Sequence, residues 1–193
     1  MIVIISPEAT VADETLYVNS FFENGLDVFH VRKYEYSDNE MQNYLDGIDK
    51  KFRSRVVLHS HFHLAKEFGI NRLHFREEEH LRKSYLNYEG YQLSTSVHSI
   101  EDFNKLDELW QYAFLSPVFP SISKAGHGEH HMVLNELKQK NNPLIQLIGL
   151  GGIHPENCQK VLENGADGIA LLGSIWQSNN PLNTFLSCRK IVR

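Results

Sequence analysis

The sequence predicts an α/β fold closed into a single (β/α)8 TIM barrel over residues 1–193. Three observations carry that prediction. Eight short β-rich runs alternate with helical segments along the chain, which implies a parallel sheet with helical crossovers. No Gly-x-Gly-x-x-Gly fingerprint is present, which disfavours an open doubly wound sheet. The last two runs end in glycine and small residues: Ile148-Gly149-Leu150-Gly151-Gly152-Ile153, then Gly165-Ala166-Asp167-Gly168-Ile169-Ala170-Leu171-Leu172-Gly173-Ser174. In such a barrel the loops after strands seven and eight form the usual phosphate site. Bare glycines let backbone N–H groups approach an anion, and a helix N-terminus adds a favourable field. The same glycines also suit a tight turn that needs them for backbone conformation alone.

The elements follow in order. Ile2–Ile5 is an aliphatic run that reads as a first, buried strand, too short for a signal-peptide core. A helix over Glu14–Asn24 ends at Asn24-Gly25, a C-cap pair placed just before strand two, Val28–Val31. Helix Asp38–Phe52 leads to strand three, Val56–His59, and helix Leu64–Phe68 leads to strand four, Arg72–Phe75. The polar segment Glu77–Tyr85 reads as a short helix or a loop before strand five, Gln92–Ser96. Ser99-Ile100-Glu101-Asp102 has the form of an N-cap with an acid three residues on, so it opens the helix Ile100–Asp107. Strand six is Tyr112–Leu115, followed by helix Val133–Asn141 and strand seven, Ile145–Leu150. Helix Pro155–Asn164 ends at Asn164-Gly165, strand eight is Gly168–Leu172, and helix Asn180–Ile191 closes the pattern.

Composition bounds the function. With 41% hydrophobic and 22% charged residues, the chain reads as an ordinary soluble globular domain. A net charge of −5 argues against general nucleic-acid binding, which favours a basic face. No apolar stretch reaches membrane-spanning length, so no membrane partner is expected. Cys158 and Cys188 fall in predicted helices without metal-ligand spacing, and a reducing cytoplasmic compartment is the simplest reading.

The eleven histidines follow the barrel: none precedes His30 or follows His154, and nearly all sit at strand ends or in the loops after them. That is the face carrying chemistry in barrels. Alternation along strands turns Phe29 and Val31 toward the helices and His30 and Arg32 toward the interior. By the same parity Leu73 and Phe75 face out while His74 and Arg76 face in, and Ser94, Ser96 and His98 share one side. The expected mouth is lined by His30, Arg32, His59, His74, Ser96 and His98. Arginines there suit an anionic ligand, and imidazoles suit proton transfer near neutral pH. His59, His61 and His63 also alternate in a pattern open to transition metals, although no supporting carboxylate is identifiable. Ser94 and Thr95 read as barrel wall rather than nucleophiles, and His130-His131 as surface. Trp110 and Trp176 read as packing residues, with Trp176 close enough to the phosphate loop to border a ring.

Five motifs in this order resemble the thiamine phosphate synthase/TenI superfamily along essentially the whole chain. They are Phe29-His30-Val31-Arg32, Leu93-Ser94-Thr95-Ser96-Val97-His98-Ser99, Ser116-Pro117-Val118-Phe119-Pro120-Ser121-Ile122-Ser123-Lys124, and the two glycine segments. The resemblance implies a barrel that binds a thiazole phosphate, with Gly151, Gly152, Gly173 and Ser174 cradling the phosphate. Ser121, Ser123 and Lys124 match the family's Thr-x-Thr-Lys loop, which helps hold thiazole and pyrophosphate groups. Ser96 matches a substrate-contacting serine, and His98 matches the histidine associated with proton transfer in TenI-type thiazole tautomerases.

Departures from the synthase pattern favour the TenI branch. Where a synthase carries Gln-x-Arg-x-Lys, this chain has His30-Val31-Arg32-Lys33-Tyr34, so Tyr34 replaces the lysine and Lys33 should face away. The family's Ile-Asn-Asp-Arg, whose aspartate holds Mg²⁺, corresponds to Leu58-His59-Ser60-His61. The second metal carboxylate falls at Glu79, a metal ligand only in a synthase. The resemblance therefore implies a thiazole tautomerase with His98 as general acid/base and Arg32 and Lys124 holding anionic groups, needing no cofactor, with His30 the next candidate for the proton transfer. The alternative is a Mg²⁺-dependent synthase joining a pyrimidine pyrophosphate to the thiazole phosphate, and a third reading is a non-catalytic phosphate-ligand binder. A homo-oligomer is the expected assembly.

Overall fold

The computed structural model describes residues 1–120 and 133–192. Eight strands run parallel and close in sequence order: β1 (Ile2–Ile5), β2 (Val28–Val31), β3 (Val56–Leu58), β4 (Arg72–Phe75), β5 (Gln92–Val97), β6 (Trp110–Leu115), β7 (Gln146–Leu150) and β8 (Gly168–Leu171). β8 pairs back onto β1 through Ile2 with Ile169 and Val3 with Ala170, completing a TIM barrel. Alternation sorts the side chains into two shells. Phe29, Val31, Leu58, Leu73 and Phe75 pack outward under the crossovers. Val3, Ile5, Val28, Val57, Phe114, Ile148 and Ala170 fill the interior.

The helices are shorter than the sequence predicts. Helix α1 (Glu14–Glu23) buries Val18, Phe21 and Phe22. Helix α2 (Asp38–Asp46) opens on a capping box between Ser37 and Glu40. It stops at Gly47, where the Asn19 side chain donates to the Gly47 carbonyl at 2.9 Å and accepts from the Asp49 N–H at 3.0 Å. The predicted continuation to Phe52 is instead a 3-10 turn over Lys50–Arg55. The expected helices Leu64–Phe68 and Val133–Asn141 are likewise reduced to 3-10 turns at Phe62–Leu64 and Glu136–Gln139. Gly69 turns the chain at φ +68° between the first of these turns and β4. The remaining helices are α3 (Glu77–Leu81), α4 (Ile100–Asn104) capped by Ser99, α5 (Cys158–Glu163), α6 (Gly173–Trp176) and α7 (Pro181–Arg189). Cys158 and Cys188 are free and buried. No helix among the described residues is long and apolar enough to cross a membrane.

Lys33, two residues past β2, faces away from the barrel axis as expected and is fully buried. Its ammonium donates to Glu14 at 2.7 Å and to the Ala9 carbonyl at 2.8 Å, and Tyr44 donates to the other Glu14 oxygen at 2.6 Å. Burial pushes the Glu14 carboxyl up and the Lys33 ammonium down, against their mutual attraction. Removing one member strands a charge in the interior. Glu14→Ala is expected to lower stability by about 3–5 kcal/mol, read from the urea midpoint at neutral pH.

Candidate active site at the C-terminal mouth

The inward residues of β2 to β6 build a polar layer inside an otherwise apolar barrel. His30, His59 and His74 are buried, as are Ser94 and Tyr112. Their hydrogen bonds run from strand to strand. His30 pairs through Nδ1 with His59 Nε2 at 2.8 Å and through Nε2 with the Tyr112 hydroxyl at 2.6 Å. His74 pairs through Nδ1 with Ser94 Oγ at 2.9 Å and through Nε2 with Ser96 Oγ at 3.0 Å. His59 Nδ1 meets the Tyr34 hydroxyl at 3.3 Å, and Ser94 Oγ lies 3.4 Å from the Leu73 carbonyl, to which it donates. Burial holds all three imidazoles below the ordinary histidine range, His74 at about 3, with Arg32 and Arg76 adding repulsion at His59. The layer is therefore neutral around pH 7.

Above it lies a rim of half-buried and exposed groups. Tyr34 and Ser96 are half-buried, and the Arg76 guanidinium sits 4.9 Å over the Tyr34 ring. Burial pushes the Tyr34 hydroxyl up to about 12. Arg32 pairs with Glu8 at 3.4 Å, while its buried Nε has no partner among the described residues. His98 lies one residue beyond β5 with its side chain 59% exposed. Its Nδ1–H donates to the Ser116 carbonyl at 3.0 Å, which leaves Nε2 as the free acceptor, 4.0 Å from Glu77.

The glycine loops stand on the other side of the mouth. Gly151 and Gly152 have φ of +102° and +61°. The loop after β6 lies directly on them: Val118 donates to the Leu150 carbonyl and Phe119 to the Gly151 carbonyl, at 2.9 and 3.1 Å. A Cβ on Gly152 would stand 2.3 Å from the Pro120 carbonyl oxygen. The tight-turn reading is therefore correct for these glycines, and a bulky residue at Gly152 would disturb the packing of two loops instead of leaving the fold intact. Asn157 fixes the turn by donating to the Gly152 carbonyl and accepting from the His154 N–H. After β8, α6 begins at Gly173, and the buried Ser174 Oγ has no partner among the described residues.

Several expectations change. Parity placed His30 and His74 inward correctly, and His59 turns in beside them, but the three form a closed layer beneath the mouth and do not line it. His59, His61 and His63 do not converge, because His61 and His63 turn out to Asp38 while His59 turns in. A different trio, His30, His59 and His74, brings ring nitrogens within 4.8 Å of one another. All six of those nitrogens are already hydrogen-bonded, and the His59 and His74 rings stack at 4.2 Å. Trp176 donates to the Ile5 carbonyl at 2.7 Å and packs on Phe21, so it is a packing residue. Ser121, Ser123, Lys124, His130 and His131 lie outside the described residues.

Sequence reasoning missed Tyr112. A bulge between Leu93 and Ser94 sets Trp110 and Tyr112 opposite those consecutive residues. Trp110 then packs outward and Tyr112 inward, although simple alternation gives them one face.

Comparison with known proteins agrees with this geometry. Among solved structures, the thiamine phosphate pyrophosphorylase of Bacteroides thetaiotaomicron superposes with a TM-score of 0.81 at 24% identity, covering 98% of this chain and 96% of that one. That of Pyrococcus furiosus gives 0.82 at 19% identity, over 99% and 94%. At these identities the likeness speaks for the fold. A thiamine-phosphate synthase of Listeria monocytogenes is 29% identical over 136 residues, 67% of this chain and 63% of its own length. The chain thus covers under two thirds of that relative. A thiamine-phosphate synthase of Flavobacterium psychrophilum is 23% identical over 198 residues, covering 96% of each. The profile described as thiamine monophosphate synthase (TMP-TENI) matches residues 1–175, and on that match the chain belongs to this family.

Proposed function

We propose that this protein isomerises a thiazole phosphate by moving a proton, as TenI-type tautomerases do, with His98 as general acid/base. The observation that carries this reading is the donor set where a synthase would hold Mg²⁺. Mg²⁺ requires hard oxygen ligands in near-octahedral order. At the aspartate position stands Ser60, whose hydroxyl is engaged by the Lys33 carbonyl and His61. Glu79 is clipped to Arg76, accepting from its backbone N–H at 2.8 Å and its guanidinium at 3.4 Å. These residues do not fit a Mg²⁺ site. Tyr34, in the lysine's place, is turned onto His59 and brings no cation to a pyrophosphate.

The phosphate is assigned to Gly151, Gly152, Gly173 and Ser174. Ser174→Ala tests that assignment without touching the glycine packing. Its hydroxyl has no partner among the described residues, so folding stability is expected to stay unchanged. Thiazole phosphate binding is expected to weaken by about 1.5–3 kcal/mol, the worth of a hydrogen bond to a charged group. Titration calorimetry with phosphorylated and dephosphorylated thiazole alcohol reads this directly. Equal affinity for both ligands in the parent protein would remove the assignment.

The names of the relatives support a second reading, condensation of a pyrimidine pyrophosphate with the thiazole phosphate. Parallel assays of the purified protein decide between the two. Thiazole isomerisation without condensation is expected, and Mg²⁺-dependent formation of thiamine phosphate would overturn the proposal.

A further inference from the structure

The end of the barrel opposite the mouth carries a cavity of about 480 Å³, formed where the strands begin. Arg55 precedes β3, Arg72 opens β4, Gln111 is the second residue of β6, Gln146 opens β7, and Arg189 ends α7. These five line the cavity together with Asp27, so three arginines share it with one carboxylate in a chain of net charge −5. That carboxylate is already engaged: Asp27 accepts from the Ile2 N–H at 2.7 Å and from Arg189 at 3.3 Å. Arg55 and Arg72 have only neutral hydrogen-bond partners among the described residues. Arg55 donates to the Leu26 carbonyl at 2.8 Å and lies 4.7 and 5.1 Å over the Phe22 and Phe52 rings. Arg72 donates to the Ser54 carbonyl at 3.0 Å and to the Gln111 side-chain oxygen at 3.4 Å. The cavity is separate from the mouth, because Tyr112 lines it and hydrogen-bonds His30 at 2.6 Å, which puts the buried polar layer between the two.

These contacts fix the guanidiniums in place without answering their charge. All three arginines are half-buried, and like charges gathered around one cavity repel one another. Nε and Nη2 of Arg55 and Nη2 of Arg72 make no hydrogen bond among the described residues, so donors remain to be used. A guanidinium presents its donors as a planar fork that matches a pair of carboxylate or phosphate oxygens. The Gln111 and Gln146 amides add donors that carry no charge. The structure assigns to this cavity a second ligand: a small molecule bearing two or more negative charges on phosphate or carboxylate oxygens. Two guanidiniums without a carboxylate call for two charges, and the volume lies in the range of small-molecule sites. Free surface arginines would not make this case. Here stacked rings and backbone carbonyls have already ordered the side chains, so a ligand meets them with little left to immobilise. The assignment is independent of the reaction proposed for the mouth.

The test is ¹H–¹⁵N NMR of the whole chain, titrated with citrate and with inorganic phosphate against KCl at matched ionic strength, which removes simple screening. Saturable shifts are expected at the Gln111 and Gln146 side-chain amides and at Arg72 Nε. Phosphate also has the mouth to bind, and that event is read separately at the Gly173 and Ser174 amides. Whichever anion saturates the lower residues first names the oxygen class. Arg72→Gln is expected to weaken this binding about tenfold or more, as for losing a hydrogen bond to a charged group. Arg72 also ties β4 to Ser54, so Gln111→Glu serves as a second variant. Gln111 is exposed, and the change keeps every arginine while setting a carboxylate beside Arg72. It is expected to weaken binding by a similar factor with folding intact. Ser174→Ala, at the mouth, is expected to leave the lower shifts unchanged. The assignment is overturned if neither anion gives saturable lower shifts beyond those of KCl. It is equally overturned if Gln111→Glu binds as the parent does, or if Ser174→Ala weakens the lower shifts as much. A protein that passes this test without isomerase activity would keep the lower site and lose the reading of the mouth alone.

Discussion

Acidification is expected to destabilise this protein steeply, by about 4 kcal/mol per pH unit once the pH falls below about 6. The cause is the buried trio His30, His59 and His74, each held neutral by burial in the fold. In the unfolded chain each imidazole takes up a proton below about pH 6.5, whereas the folded state leaves it bare. The unfolded state then binds more protons, so the stabilisation is complete above that pH and is lost as the pH falls, toward about 3 for His74. Each ring contributes roughly 1.4 kcal/mol per unit, which three rings triple. A domain of ordinary stability, about 5–15 kcal/mol, would then unfold between about pH 5 and 3. Urea midpoints measured across this range check it. His74→Gln is expected to flatten the slope by about a third, and an unchanged slope would mean that His74 takes up its proton within the fold.

His98→Asn is expected to reduce turnover of thiazole isomerisation by roughly 10²–10⁴-fold, the range for losing a general acid or base. The side chain is open to the mouth, and its Nδ1–H is spent on the Ser116 carbonyl, so Nε2 is free to take a proton and return it. Asparagine can still donate to that carbonyl, which keeps the rim in place while removing the base. KM is expected to change far less than kcat, because the phosphate is assigned to loops across the mouth. Retention of full turnover would reduce His98 to a rim residue.

Much of this architecture could be read from residues alone, for identifiable reasons. A period of two is legible in β2 and β4 because polar His30 and His74 alternate with apolar Phe29, Val31, Leu73 and Phe75, and it placed both histidines on the inner side and Lys33 on the outer. It carries no information about depth along the barrel axis, so it does not separate a closed layer from an open mouth. Tyr112 was hidden because one extra residue in β6 inverts the alternation across Gln111. Tyr34 reads in the sequence only as a lost lysine, since its contact with His59 joins residues 25 positions apart. The helices shrank where tertiary contacts, such as Asn19 on Gly47 and Asp49, interrupt a pattern that propensity would continue.

The seam between the loops after β6 and β7 has a mechanical consequence. With Val118 and Phe119 laddered onto Leu150 and Gly151, and Pro120 pressed against Gly152, residues 118–120 and the turn at 150–152 have no room to shift one without the other. They behave as one jaw. A ligand group gripped by one loop stiffens the other, so affinity and residence time at this mouth are properties of the pair and will not divide into a share for each.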